Sequence, residues 1–269
     1  TANSMKTNER AMERTMERLS TGKRINSASD DAAGLGIETR MTSQIRGLQQ
    51  AARNANDGIA MLQTADGAAA EMNNMFQRMR ELAVQSQTGT LGTEDIANLN
   101  QEFAALATEI DRIADDTTFN NIAILASTQT INIAVGADEA DVIALSMLDF
   151  NLAAGASGTP MKADLTNFKT EGTADDVNTS GVIVHIDDAI KGIASARATF
   201  GATINRLEYT VDNLNSTVLN TQAAKSQIVD ADYAAETTEL ARTQIISQAS
   251  TAMLSQANQQ AQSVLALLK

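Results

Sequence analysis

The sequence predicts a mainly α protein, a long antiparallel coiled-coil-like helix bundle with a small β-hairpin region in the middle of the chain. Apolar residues recur at alternating steps of three and four over unusually long stretches, which is the seam of a coiled-coil-like helix. Aromatics make up only 3% of the 269 residues, with no Trp, although 43% of the chain is hydrophobic. Narrow helix–helix seams can be filled by Ala, Leu, Ile and Met, whereas a broad core draws on aromatic bulk. The chain also holds a single proline, so little in it interrupts a helix.

The elements follow in order. Met5, Met12 and Leu19 recur at sevens, with Met16 alongside, and predict a first helix. Ser20, Thr21 and Gly22 end it. Residues 26–31 read as turn and helix-cap chemistry, with Asp30 and Asp31 at the cap. A second pattern follows through Ile45, Leu48, Ala52, Ala55, Ile59, Leu62, Ala69, Phe76 and Ala83. As one helix over residues 37–86 it would be about 75 Å long at about 1.5 Å per residue. Residues 88–92 break it. A third helix then carries Ile96, Leu99, Phe103, Leu106, Ile110 and Ile113, and its pattern stops near Asp115.

After Phe119, Asn120 and Asn121 the period changes from helical to alternating. Ile131, Ile133 and Val135 form one strand, residues 136–139 a turn, and residues 142–145 the returning strand. Residues 155–181, with Pro160, read as a loop. Helical spacing resumes near Ile186, with a seam at Ile193, Phe200, Leu207, Leu214, Thr221 and Ile228. A last helical segment carries Ile246, Met253, Val264 and Leu267. The plan is hairpin-like, with long helices from both chain ends and the β-containing part between them. Gly36 lowers helix propensity by about 0.5–1 kcal/mol and is expected to mark a junction.

The two terminal stripes have no obvious partner in one chain except each other. The seam residues are Met5, Met12 and Leu19 at one end, and Ile246, Met253, Val264 and Leu267 at the other. An isolated pair of this kind buries little surface and is marginal. Repeated across many copies it would bury a continuous core, so these residues are expected to serve self-assembly.

Charge limits the partners. The formal net charge is −13, and nucleic acid calls for a basic surface. Between residues 130 and 188 ten acids face two lysines, which predicts a solvated middle. The absence of Cys excludes disulfides and thiolate metal sites. No apolar run reaches membrane-spanning length, and no basic-then-apolar leader opens the sequence.

No catalytic or cofactor chemistry stands out. His185 beside Asp187 and Asp188 lacks further ligands for a metal. Asp30 and Asp31 are adjacent, so on a helix they point apart and suit capping better than acid–base work. Gly34 and Gly36 lack the third glycine and preceding strand of a dinucleotide loop. No nucleophile elbow is present. The Met stripe, including Met72, Met75 and Met79, reads as packing. Glycan sequons at Asn178 and Asn215 read as idle. Ser157, Thr159, Thr173 and Thr179 are O-glycan candidates on the expected loop.

Several ordered blocks resemble bacterial flagellin. Near the start they are residues 16–28 (MERLSTGKRINSA), 30–35 (DDAAGL), 53–59 (RNANDGI), 63–68 (QTADGA) and 77–85 (QRMRELAVQ). Near the end they are residues 197–202 (RATFGA), 205–207 (NRL), 228–234 (IVDADYA) and the stretch from QANQ at 256–259 to Leu268.

The resemblance implies a small flagellin with little or no outer domain. Residues 1–32 and 230–269 would form the terminal coiled-coil domain of the filament core. Residues 33–129 and 182–229 would form the helical shell, and residues 130–181 the β-hairpin and exposed loop region. It implies a non-enzymatic subunit polymerising with itself into the swimming filament. It further implies secretion by the flagellar type III apparatus without a cleaved signal peptide, and further residues ahead of Thr1. Implied partners are an export chaperone, hook-associated and cap proteins, and a vertebrate Toll-like receptor contacting Arg78, Leu82 and Glu102. The competing reading is a flagellin-like cell-surface protein that binds polysaccharide or host matrix. Such a groove would use aromatics, and the only tyrosines are Tyr209 and Tyr233, both in helical stretches.

Overall fold

The structure is a computed structural model that describes residues 2–138, 140–150 and 181–267, with side chains described up to residue 256. Five helices and two small antiparallel hairpins account for most of these residues. The chain separates into two compact units. One comprises Thr1–Arg46 with Thr217–Lys269, and the other Gly47–Ser216.

Helix α1 spans Ala2–Thr21. It stops at Gly22, whose φ of 70° is open to glycine without a Cβ penalty. The Gly22 amide donates back to the Arg18 carbonyl at 2.8 Å, closing the last turn. Helix α2 spans Ala32–Ser86. Asp31 caps it by accepting the Gly34 amide at 2.9 Å. The predicted seam is the face that α2 buries: Ile45, Leu48, Ala52, Ala55, Leu62, Ala69, Phe76 and Ala83 are all buried. Gly36 lies inside α2 with open space where a Cβ would stand, and no break occurs there. The junction expected at Gly36 is therefore absent, because the capping chemistry at residues 30–34 already starts the helix.

Helix α3 spans Thr93–Asp116. The Asp95 carboxylate accepts the Gly92 amide at 3.0 Å and so satisfies a donor ahead of the first turn. Phe103 and Ile110 lie on its buried face. Strands β1 (Thr118–Phe119) and β2 (Ile122–Ala123) follow, a pairing the sequence pattern did not predict. Asn120 and Asn121 connect them at φ 49° and 66°. Two consecutive positive φ values let a two-residue turn match strand twist, and Asn tolerates that region better than most residues.

Strands β3 (Gln129–Ala134) and β4 (Val142–Met147) form the predicted hairpin, with Gln129 opposite Met147 and Ala134 opposite Val142. Ile143, Leu145 and Met147 are buried on one face of β4, while Val142, Ala144 and Ser146 are exposed on the other. Asn54 and Gly58 are among the α2 residues on which the hairpin rests. Asn54 Nδ2 donates to the Ala134 carbonyl at 3.2 Å, and Ile133 comes within 3.3 Å of where a Cβ of Gly58 would stand. A Cβ at position 58 would require the Ile133 side chain to shift by a few tenths of an ångström.

Helix α4 spans Val182–Val229, beginning four residues before Ile186, and helix α5 spans Tyr233–Leu267. The expected loop at residues 155–181, with Pro160, the sequon at Asn178 and the O-glycan candidates Ser157, Thr159, Thr173 and Thr179, lies outside the described residues apart from Gly181.

The core of the Gly47–Ser216 unit is continuous. Phe76, Phe103, Phe150 and Phe200 are fully buried in it with Leu62, Met72, Met79, Ile110 and Ile193. Four of the six phenylalanines of the chain are therefore fully buried in this one unit, and Phe119 packs against its core. Each large apolar side chain buried there contributes about 1.5–3 kcal/mol relative to exposure.

Candidate self-assembly site

The unit formed by the chain ends is built differently. Helices α1 and α5 run antiparallel, and their register is fixed by polar contacts. Asn8 Nδ2 donates to the Thr243 carbonyl at 2.8 Å. Arg18 Nη1 meets Glu236 Oε1 at 3.1 Å, and Tyr233 Oη donates to the Leu19 carbonyl at 2.8 Å. Between the helices lie Thr15 and Thr243, both buried. Their hydroxyls are satisfied on their own helices, Thr15 on Ala11 and Thr243 on Glu239 and Leu240. Two buried Thr, well separated along the pair, supply little apolar burial. Among the described side chains, no large hydrophobic residue of α1 or α5 is buried.

The links leading into these helices are stitched together. The Arg24 amide donates to the Val229 carbonyl at 2.6 Å, and the Ala231 amide to the Gly22 carbonyl at 3.0 Å. The Arg24 guanidinium adds a bond to the Ile228 carbonyl at 2.7 Å. Glu38 accepts Lys23 at 3.2 Å and stands 4.0 Å from Lys225. Asp30 folds the longer link by accepting the amides of Ser27 and Asn26 and the Ser27 hydroxyl. These bonds, the Ser27 amide first, hold its carboxyl below the ordinary 3.8. The two aspartates singled out in the sequence thus act as caps of a link and a helix.

The expected assembly residues sit on this pair. Met5, Met12 and Leu19 are half-buried on α1. On α5, Ile246 is 37% exposed and Met253 is 65% exposed. The side chains of Val264 and Leu267 lie outside the described residues. Sequence spacing missed Ile245, which is 66% exposed. It stands beside Ile246, so a strict heptad count passes over it. Met16, 55% exposed, shares the surface of α1. Several large apolar side chains therefore face solvent on a two-helix element that has almost no core among its described side chains.

The second set of expected residues lies in the Gly47–Ser216 unit. Arg78 Nε donates to Glu102 Oε1 at 2.9 Å, joining α2 to α3, and Arg78 Nη1 reaches Glu81 Oε2 at 3.0 Å. The Glu102 bond first, then Glu81, raises the affinity of the guanidinium for its proton. Arg78 and Glu102 are exposed, but Leu82 is fully buried. Leu82 belongs to the core and offers no surface of its own. Nearby, Arg80 pairs with Asp187 at 2.6 Å across α2 and α4, and this contact lowers the Asp187 pKa. Arg197 pairs with Asp66 at 2.7 Å across the same two helices. His185 stands half-buried in the first turn of α4. Among the described residues, no cluster of three His, Asp or Glu able to hold a metal occurs. No described helix is long and apolar enough to cross a membrane.

Long helices, a small hairpin and a thin, solvent-facing pair of chain ends define an α-helical structural subunit. Comparison with known proteins gives the family. Residues 1–130 match the bacterial flagellin N-terminal helical region, and residues 183–268 the C-terminal helical region. The chain is 46% identical to a flagellin of Halalkalibacterium halodurans over 96% of its length and 92% of that protein. It is 40% identical to a flagellin of Bacillus subtilis over 100% of its length and 96% of the relative. It is also 40% identical to the flagellar filament 33 kDa core protein of Treponema phagedenis, over 96% of its length and 93% of the relative. The chain belongs to the bacterial flagellin family, whose members are structural subunits of the flagellar filament.

Proposed function

We propose that the α1–α5 pair is the element through which copies of this chain polymerise into the filament. One observation carries this reading. Among the described side chains, the pair buries two threonines and no large apolar residue, yet exposes Met16, Ile245, Ile246 and Met253. Such a pair has little stability alone, and apolar surface left open on a small element fits a partner surface. Copies of the same chain supply that partner at unlimited stoichiometry. Met5, Met12, Leu19, Ile246, Met253, Val264 and Leu267 are the residues we assign to the seams between copies.

In this reading residues 1–32 and 230–269 form the filament core, residues 33–129 and 182–229 its shell, and residues 130–181 the outward region. The chain has no catalytic role. It leaves the cell through the flagellar type III apparatus, attended by an export chaperone, and is capped and joined by cap and hook-associated proteins. Exposed Arg78 and Glu102 form a contact for a vertebrate Toll-like receptor, with Leu82 in the core. A chain ending before Ile246 tests the reading. It should remain folded and soluble and fail to elongate filaments, and normal elongation would refute it.

A further inference from the structure

The chain has no Cys, so thioether sulfur is its main target for a two-electron oxidant, and exposure selects among methionines. The ten methionines among the described residues are unequally placed. Met61, Met72, Met79 and Met147 are at most 3% exposed, inside the core of the Gly47–Ser216 unit. Met5, Met12, Met41 and Met75 are half-buried. Met16 and Met253, at 55% and 65% exposure, stand apart, and both lie on the α1–α5 pair. The accessible sulfur among the described residues is thus concentrated on the element with the least core of its own.

We propose that Met16 and Met253 are two separate reversible oxidation sites whose modification switches polymerisation off. The inference rests on the reading that the α1–α5 pair is the polymerising element. The oxidant is a peroxide. A sulfur lone pair attacks one peroxide oxygen, the O–O bond breaks, and water leaves. The sulfur is oxidised by two electrons to the sulfoxide and the peroxide is reduced, with no net proton released. On the free subunit the new S=O group is hydrated, so the fold tolerates it. Between copies it would be buried as a strong acceptor without a donor, which opposes association. The four buried sulfurs keep the core outside this chemistry, so the switch acts on assembly and not on folding. Reduction by a methionine sulfoxide reductase restores the apolar side chain.

The test uses the full monomeric chain, hydrogen peroxide and short filament seeds. Peptide mass spectrometry should find sulfoxide at Met16 and Met253 before the four buried methionines. Elongation should then fall at least tenfold with helix content unchanged, and recover after treatment with both sulfoxide reductase types. The double variant Met16→Leu, Met253→Leu should elongate at the same rate before and after peroxide. Unchanged elongation of native chain fully oxidised at both positions would overturn the proposal. So would an equal peroxide-induced loss in the double Leu variant. Should that variant elongate slowly, the ratio of its rates with and without peroxide, together with reductase recovery of the native chain, still decides. Untreated Ile246→Lys separates this inference from the reading beneath it. Normal elongation of that variant refutes the assembly role of the pair. Its block, alongside normal elongation of the oxidised native chain, refutes the oxidation sites alone.

Discussion

Tyr233, the first residue of α5, donates its hydroxyl to the carbonyl of Leu19 in the last turn of α1 at 2.8 Å. That carbonyl is one of the acceptors a helix end leaves without an intrahelical partner. The start of one terminal helix therefore completes the end of the other. With the Arg24–Val229 and Ala231–Gly22 bonds in the links, it makes the base of the pair its best-defined part.

Removal of that hydroxyl should loosen the base without unfolding the chain. Tyr233→Phe is expected to cost under about 1 kcal/mol, the range of a single exposed hydrogen bond. Hydrogen exchange should quicken in residues 16–24 and stay unchanged at Phe103 and Ile110. Equal quickening in both regions would mean that the bond does not act locally.

The Gly47–Ser216 unit should respond quite differently to a change in its core. Phe103→Ala empties space around a fully buried ring and should destabilise that unit by about 3–5 kcal/mol. Chemical denaturation followed by circular dichroism would read this. A loss below about 1 kcal/mol would mean the ring is not part of a close-packed core.

Acid should loosen the link that Asp30 folds. The Asp30 carboxyl has a folded pKa below 3.8, so it binds a proton more readily in the unfolded chain. Its contribution is complete above the unfolded value and is lost as pH falls through the folded one. Asp30→Asn should lower stability at neutral pH and flatten the decline between pH 5 and pH 2. Thermal unfolding across that range would show an unchanged decline if Asp30 plays no such part.

The proposed receptor contact predicts a separation of binding from folding. Arg78→Ala removes an exposed ion pair between α2 and α3, and such pairs add little stability. Helix content should be unchanged, while binding of the monomer to a vertebrate Toll-like receptor should weaken by more than about 1 kcal/mol. An unchanged binding curve would remove Arg78 from that contact.

Much of this architecture was legible because long seams repeat one signal many times. Ile45 through Ala83 on α2, and Ile193 through Leu214 on α4, gave the buried faces almost residue by residue. The alternation at Ile131, Ile133 and Val135 gave the larger hairpin. The smaller one was not readable, since its two-residue strands offer no period and only Asn120 and Asn121 marked the turn. Asp30 and Asp31 were legible as caps because capping is local. The stitches at Arg24–Val229 and Tyr233–Leu19 join residues about 200 apart in sequence, and no local pattern announces them. At the candidate site, spacing found Ile246 and Met253 but could not separate an exposed seam from a buried one. Leu82 showed the reverse difficulty: a neighbour of an exposed Arg on the same helix turned out to be core.

The central claim is that the exposed apolar surface of the terminal pair drives polymerisation. Seeded elongation of Ile246→Lys against the native chain, followed by electron microscopy, tests it most directly. A charge at a 37% exposed position leaves the monomer hydrated and folded, but would be buried unpaired between copies. The account predicts native circular dichroism with elongation reduced at least tenfold, whereas filaments growing at the native rate would contradict it.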